Sequence, residues 1–208
     1  SLYNEGVRTI FGLPGVQLYH ALGGLMATPE IRFINTRHEQ GTTYMADGFA
    51  RVAGQEGIAM VVPGPGLLNA SAAIGSAYAA SSPILVVSGQ IPKDLIGVNR
   101  GELHEVDDQL DCVRPITKWA SRVVDPGEIP SAVQEAFRHL NTGRPRPVEI
   151  EMPMDTLAET ADLELLEPGI YERAAASDDS VMAGARALAG SKRAVIWAGG
   201  GAVSSGAS

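Results

Sequence analysis

Glu39 is the residue of this chain whose type and position best suit acid–base chemistry. It lies near the start of a segment, residues 36–54, whose apolar residues recur with helical spacing. On a helical wheel its direction nearly coincides with those of Ala46 and Ala50, on the face expected to be buried. A buried carboxylate needs a partner or retains its proton. Two alternatives follow: a proton-transfer residue, or an acid favoured at a helix N-terminus by the helix dipole.

The wheel also predicts which side of this helix is buried. One apolar stripe is formed by Met45, Ala46, Phe49, Ala50 and Ala53, and the opposite side carries Gln40, Asp47 and Arg51. A predicted strand, residues 31–35, leads directly into Glu39. Ligands bind at such strand-to-helix junctions in open α/β sheets.

Asn69 and His104 are further candidates. Asn69 is the one sizeable polar side chain in a predicted helix, residues 67–80, that has no charged face and therefore packs in a core or a subunit interface. Its alternative role is a local backbone cap. His104 lies among six acidic residues between positions 94 and 111, but the spacing matches no metal-ligand motif, which favours a solvated acidic segment and no metal site.

Strands alternating with helices predict an α/β fold, with a doubly wound, mainly parallel sheet and helices on both faces. This first domain covers residues 1–156. An interdomain linker, residues 157–180, and the beginning of a second α/β domain, residues 181–208, follow it. In the second domain a strand at 194–198 is expected to run into Gly199-Gly200-Gly201, a weak dinucleotide-binding turn in which Ser204 replaces the third glycine.

Composition excludes several classes of protein. The formal net charge is −8 and no Lys/Arg cluster occurs, which argues against binding nucleic acid through its phosphates. Cys112 is the single cysteine, so no internal disulfide can form and a cytoplasmic location is expected. No signal peptide or membrane span is predicted. The first residues read as the end of a helix, and the chain stops within a predicted domain, so we expect a piece of a longer protein.

Five segments, taken together and in order, resemble the N-terminal, pyrimidine-binding domain of thiamine-diphosphate-dependent enzymes, within them the acetolactate synthase-like branch. They are Phe11-Gly12-Leu13-Pro14-Gly15; Arg37-His38-Glu39-Gln40-Gly41 with residues 45–51; Gly64-Pro65-Gly66-Leu67-Leu68-Asn69; residues 83–90; and Gly143-Arg144-Pro145 with Pro147-Val148.

The resemblance implies decarboxylation of a 2-oxo acid, carboligation, or both. It assigns Glu39 to a nitrogen of the cofactor's aminopyrimidine ring, where a glutamate promotes loss of a proton from the thiazolium ring. Pro14, Gly15, Pro65 and Asn69 would line the same slot. Val16 stands where acetolactate synthases usually have a second glycine, and His104 or Glu105 replaces the glutamine of their Phe-Gln-Glu motif. Val16 and His104 are therefore candidates on the substrate side.

Other parts of the family's machinery are not in this chain. The resemblance places Mg²⁺ and the diphosphate on a Gly-Asp-Gly motif of a separate C-terminal domain, and no such motif occurs here. It also implies a homodimer or homotetramer with the site between subunits, possible FAD binding in the central domain, and no turnover by this fragment alone. The alternatives are a non-catalytic regulatory or structural paralogue and a nucleotide- or FAD-binding Rossmann module.

Overall fold

A computed structural model describes residues 1–172 and 174–206 as two compact units, Ser1–Glu172 and Arg173–Ser208. The first unit is built on a six-stranded, entirely parallel sheet in the order β2-β1-β3-β4-β6-β5. The strands are β1 (Thr9–Gly12), β2 (Arg32–Asn35), β3 (Gly57–Val61), β4 (Ile84–Gln90), β5 (Trp119–Arg122) and β6 (Val148–Pro153). The predicted α/β fold with a parallel sheet is confirmed.

Helices cover both faces of this sheet. They are α1 (Tyr19–Met26), α2 (Glu39–Ala53), α3 (Pro65–Ala80), α4 (Gln109–Val113), α5 (Ile129–Asn141) and α6 (Met154–Ala158). One apolar cluster joins the sheet to α5 through Phe137 and Leu140, and the other joins it to α2 and α3 through Ala46, Ala50 and Ile74. The result is a three-layer arrangement in which β3, β4 and β6 are buried along their whole length.

The strand order creates a crevice at one edge of the sheet. The chain passes from β1 to β2 in one direction and from β3 to β4 in the other, while β1 and β3 are neighbours. Connections that diverge in this way leave a gap beyond the carboxyl ends of the two strands, where ligands bind in open α/β sheets. The turns that follow β1, β2 and β3 all lie at this edge.

The face of α2 that is buried differs in part from the predicted stripe. Ala46 and Ala50 are buried as expected, but Met45 and Ala53 are exposed. Asp47, predicted on the polar side, is buried and accepts two hydrogen bonds from Arg51, at 2.9 and 2.7 Å. The reason is that α2 packs against α3 as well as the sheet, which rotates the buried sector toward Asp47.

The second unit contains α7 (Asp178–Ala189) and α8 (Gly200–Ser204). The prediction of a strand at residues 194–198 was wrong. No strand occurs between 174 and 206, and Trp197 is almost fully exposed. A parallel strand forms only beside another strand, and this part of the chain provides none. The predicted domain 181–208 stays a prediction, and its last two residues lie outside those described. Throughout the described ranges, no helix is long and apolar enough to cross a membrane.

Candidate active site

Glu39 begins α2 directly after the carboxyl end of β2. Its side chain is half-buried, and its Oε2 accepts a hydrogen bond of 3.0 Å from Nδ2 of Asn69 in the first turns of α3. A Cβ built on Gly66 would lie 3.6 Å from Oε1, so the other carboxylate oxygen also faces the start of α3. Glu39 was expected on the buried face and is half-buried instead, and its partner is a neutral amide.

The turn that presents Glu39 is anchored to β1. The backbone N–H of Thr36 donates to the carbonyl of Gly12 at 2.9 Å, and the hydroxyls of Thr36 and Thr42 lie 2.5 Å apart. His38 is the N-cap of α2, and its Nδ1 accepts from the backbone N–H of Gln40 at 3.1 Å. The bond to Gly12 ties the turn to β1, and the bonds of Thr42 and His38 fix the first turn of α2 to that turn.

A rigid turn after β3 leads into α3. Gly64 has φ +54°, in the region that favours glycine, and a Cβ there would lie 2.2 Å from the carbonyl oxygen of His104. The Gly64 N–H donates to Oε1 of the buried Gln109 at 2.7 Å. Pro65 occupies the first turn of α3, where its missing N–H costs nothing. Position 64 of this turn can therefore hold only glycine.

The loop after β1 contacts Val62, the residue that follows β3 and precedes this turn. A Cβ on Gly15 would lie 2.2 Å from Cγ1 of Val62, and one on Gly66 would lie 2.6 Å from Cγ2. Val62 thus fills the space between the two loops, and no larger residue than glycine fits on either side of it. Pro14 and Pro65 are both exposed at the edge of the sheet. Sequence reasoning missed Val62, although its place just after a buried strand indicated it.

The two substrate-side candidates lie in different environments. Val16 is 45% exposed beside the Gly15 loop. His104 has φ +73°, its backbone lies against Gly64, and its Nδ1 is 3.2 Å from Oε1 of the buried Gln17. Glu105 instead accepts hydrogen bonds from backbone N–H groups of its own loop, first that of Glu102, which lower the pKa of its carboxyl. The loop therefore directs His104, rather than Glu105, to this edge.

A protein-family model and several individual proteins match this chain. A protein-family model described as thiamine pyrophosphate enzyme, N-terminal TPP binding domain, matches residues 1–112. The chain is 39% identical to the probable 2-ketoarginine decarboxylase of Pseudomonas aeruginosa, over 99% of this chain and 37% of that protein. It is 37% identical to the probable acetolactate synthase large subunit of Methanocaldococcus jannaschii, over 100% of this chain and 36% of that protein.

The chain belongs to the thiamine pyrophosphate enzyme family. A third similar protein, the acetolactate synthase isozyme 1 large subunit of Escherichia coli, is 34% identical over 97% of this chain and 36% of its own length. The chain thus spans little more than a third of the curated relatives that it matches. The resemblance deduced from the sequence motifs is confirmed at the level of the family.

The residues at this edge fit the aminopyrimidine ring of a thiamine pyrophosphate enzyme's cofactor. Gly15 and Gly66 have no Cβ, so the backbone of the loop after β1 and of the first turn of α3 packs directly on Val62. Glu39 offers a carboxylate that is partly exposed and held by one neutral amide. Such a group can accept a proton from, or donate one to, a ring nitrogen.

The acidic segment of this family member is structural in large part. Asp108 accepts hydrogen bonds from the first backbone N–H groups of α4, and Asp111 pairs with Arg114 at 2.8 Å. Among residues 1–172 and 174–206, no group of three His, Cys, Asp or Glu residues is arranged to hold a metal ion. Asp108 therefore acts as a helix cap, and Asp111 as an ion-pair partner.

A buried polar network lies beside the site and was missed by sequence reasoning. Glu149 and Glu151 on β6 are fully buried; Ser88 donates to Glu149 at 2.5 Å, while Glu151 accepts from Arg122 and, at 3.0 Å, from Gln109. Burial first, and then the nearby charge of Glu151, raise the pKa of Glu149 well above its usual value. The alternation of glutamates with apolar residues along β6 was the available signal, since it places both acids on one face.

Proposed function

We propose that this chain forms the pyrimidine-binding part of an enzyme that uses thiamine diphosphate to decarboxylate a 2-oxo acid, to ligate two carbonyl compounds, or both. The observation that carries the proposal is the half-buried carboxylate of Glu39, held by Asn69 at a glycine-lined edge of the sheet. Membership of the thiamine pyrophosphate enzyme family supports it. Because the chain covers about a third of its relatives, the activity belongs to the intact protein.

The residues of this chain would bind and activate the cofactor. When bound, the cofactor supplies an electron sink that stabilises negative charge on the carbon atom of a former carbonyl group. Glu39 would hold or release a proton at a nitrogen of the aminopyrimidine ring. Asn69 would keep Oε2 of Glu39 in place, and Pro14, Gly15 and Pro65 would line the slot with backbone and ring atoms.

The substrate is the least defined part of the proposal. The names of the relatives include a 2-ketoarginine decarboxylase and acetolactate synthases, which indicate a choice between decarboxylation and carboligation. Val16 and His104 are the candidates for that choice. The exposed side chain of Val16 occupies space that a glycine would leave open, and His104 adds an imidazole beside the Gly64 turn.

We further propose that α2 and α3 form an interface with a second copy of the protein. The helices expose apolar side chains, and α3 has no charged residue along its length. The exposed apolar residues are Tyr44, Met45, Val52 and Leu68. A homodimer or homotetramer, Mg²⁺ held by a C-terminal domain, FAD and a cytoplasmic location stay predictions, as does the inactivity of this fragment alone.

The test compares wild-type intact protein with Glu39→Gln in the presence of thiamine diphosphate and Mg²⁺. Release of CO₂ would be measured from a panel that includes pyruvate and 5-guanidino-2-oxopentanoate. Because an amide cannot exchange the proton, we expect kcat to fall about 100-fold or more for the preferred acid. The matched control is Glu30→Gln, an exposed acid before β2, which should leave kcat unchanged.

Two results would contradict the proposal. One is a Glu39→Gln protein that turns over the preferred acid as fast as wild type. The other is an intact protein that releases no CO₂ from any acid and whose Tm does not rise with thiamine diphosphate, since a ligand that binds the folded state must stabilise it.

A further inference from the structure

The pair formed by Gln17 and His104 joins two loops at the edge of the sheet. Gln17 follows the Gly15 loop and is 3% exposed. Its Nε2 donates to the backbone carbonyl of Leu103 at 3.1 Å, and its Oε1 lies 3.2 Å from Nδ1 of His104. A Cβ built on Gly89 would lie only 3.1 Å from Cβ of Gln17, so the glutamine packs closely against β4 at Gly89.

The hydrogen-bonding capacity of each atom decides where the imidazole proton lies. The carbonyl of Leu103 can only accept, so the amide nitrogen of Gln17 must face it. The amide oxygen of Gln17, which also only accepts, is then the atom that faces His104. Nδ1 of His104 must therefore carry a hydrogen. In a neutral imidazole this leaves Nε2 with its lone pair exposed as an acceptor.

The backbone holds this ring close to the candidate site. His104 is in the left-handed region, and its carbonyl packs on Gly64, two residues before Gly66, which adjoins Glu39. The loop that carries it is closed by Glu105, which accepts from the N–H groups of Gly101 and Glu102. The imidazole thus has a fixed partner on one nitrogen and a fixed place beside the turn.

We propose that Gln17 is a positioning residue that holds His104 in its Nδ1–H tautomer, so that Nε2 meets the substrate as a hydrogen-bond acceptor. This inference rests on the proposed function, because it gives His104 a task in that site. It also distinguishes His104 from the glutamine that the acetolactate synthase-like pattern has there. A glutamine amide offers a donor and an acceptor, whereas this imidazole offers an acceptor alone.

The tautomer can be measured without turnover. The intact protein would be labelled with ¹⁵N at histidine only, and solid-state spectra would be recorded at about pH 8, where ordinary imidazoles are neutral. His38 is an internal control, because its Nδ1 accepts from Gln40 and its proton must lie on Nε2. We expect His104 and His38 to show opposite tautomers, with signals assigned from His104→Gln and His38→Gln.

Two variants of Gln17 separate tautomer control from simple support of the loop. Gln17→Met removes both hydrogen bonds, so the Nε2–H form of His104 should appear and kcat/KM should fall about tenfold, the value of one lost hydrogen bond. Gln17→Glu keeps an acceptor for Nδ1–H and should retain the hydrogen on Nδ1, whereas it loses the bond to the carbonyl of Leu103 just as Gln17→Met does. A mere packing role predicts instead that the two variants behave alike.

The outcomes distinguish this inference from the proposed function. If His104 of the wild type carries its proton on Nε2, or if Gln17→Met changes the tautomer without lowering kcat/KM, the inference is wrong while the enzyme reading stands. If no 2-oxo acid is turned over, the proposed function and the substrate role of His104 both fail, and the spectrum still decides whether Gln17 sets the tautomer.

Discussion

The carboxylates in the two halves of the sheet differ in burial. The half formed by β2, β1 and β3 is called here the open half, and the half formed by β4, β6 and β5 the buried half. At the ends of β2, β1 and β3, Glu39 is partly exposed and has a single amide partner. Within β6, between β4 and β5, Glu149 and Glu151 are fully buried among Ser88, Gln109 and Arg122. The contrast indicates that an acid available to a ligand is one that remains partly exposed, beside backbone that only glycine allows.

The buried half also supports the open half. The amide nitrogen of Gln109, which carries two hydrogens, lies 3.0 Å from acceptor atoms of Ser88, Glu151 and Gly89, and its oxygen accepts from the N–H of Gly64. A single buried amide therefore ties the site's central turn to the polar network. Substitutions in the network should act first on stability, and substitutions at the open edge should act first on cofactor binding.

The largest loss of stability is expected from Arg122→Met, which leaves Glu151 buried without its cation. Removing one partner of a buried ion pair costs about 3–5 kcal/mol, and we expect about 3 kcal/mol because the Arg122 side chain is 25% exposed. The Tm of the intact protein should fall by several degrees. Arg114→Met is the matched control, because it breaks an exposed pair worth less than about 1 kcal/mol. Equal Tm values for the two variants would show that Glu151 does not depend on its pair.

Gly15→Ala tests the open edge by overpacking it. The added Cβ would lie 2.2 Å from Val62, which forces a shift that costs about 1–3 kcal/mol in the loop proposed to line the cofactor. The Kd for thiamine diphosphate should therefore rise, and Val62→Ala in the same protein should restore part of the affinity. Gly23→Ala in α1 is the control, since nothing lies within 4 Å of its Cβ. A double variant as weak as Gly15→Ala would refute the steric explanation.

Glu149→Gln should change how stability depends on pH. The folded protein keeps a proton on Glu149 that the unfolded chain loses near the ordinary pKa of 4.5, so stability falls as pH rises from there through the raised folded pKa. Glutamine has no proton to lose, and that part of the decline should disappear. Tm profiles from pH 4 upward would check this, with the exposed Glu164→Gln as control. Parallel profiles for wild type and Glu149→Gln would mean that Glu149 is ionised in the fold.

The elements were more predictable from the sequence than the contacts between them. The apolar runs 57–62 and 83–89 are typical of buried parallel strands and coincide with β3 and β4, and the helix predicted at 67–80 begins two residues earlier, at Pro65, as α3. The position of Glu39 at a strand-to-helix junction followed from the order of elements. That position needs no knowledge of distant residues.

Long-range pairing was the part that sequence reasoning missed. Gln17 and His104 are separated by 87 residues, and Gln109 and Gly64 by 45. No local periodicity encodes such pairs. Asp47 was assigned to solvent for a related reason: a wheel considers one helix at a time, whereas α2 packs against two neighbours. Buried polar residues are thus the ones whose roles only the fold reveals.

Asn69→Ala is expected to lower the free energy of unfolding least among these variants. Its main effect should be on the Kd for thiamine diphosphate. The bond from Asn69 to Glu39 is exposed, so its loss should cost less than about 1 kcal/mol of stability. Without that bond, Glu39 must be ordered when the ligand binds, and the Kd for thiamine diphosphate should rise several-fold.

Asn141→Ala provides the matched comparison, because Asn141 donates to Glu56 at 2.7 Å, an amide–carboxylate pair of the same type on α5. Asn141 also donates to the carbonyl of Phe137, so its replacement should lower Tm at least as much as that of Asn69. It should nevertheless leave the Kd for the cofactor unchanged. If both variants weaken cofactor binding equally, or neither does, Asn69 does not position Glu39. The hydrogen bond from Asn69 to Glu39 would then have no specific role in binding the cofactor, and this part of the contrast between the open and the buried half of the sheet would fail.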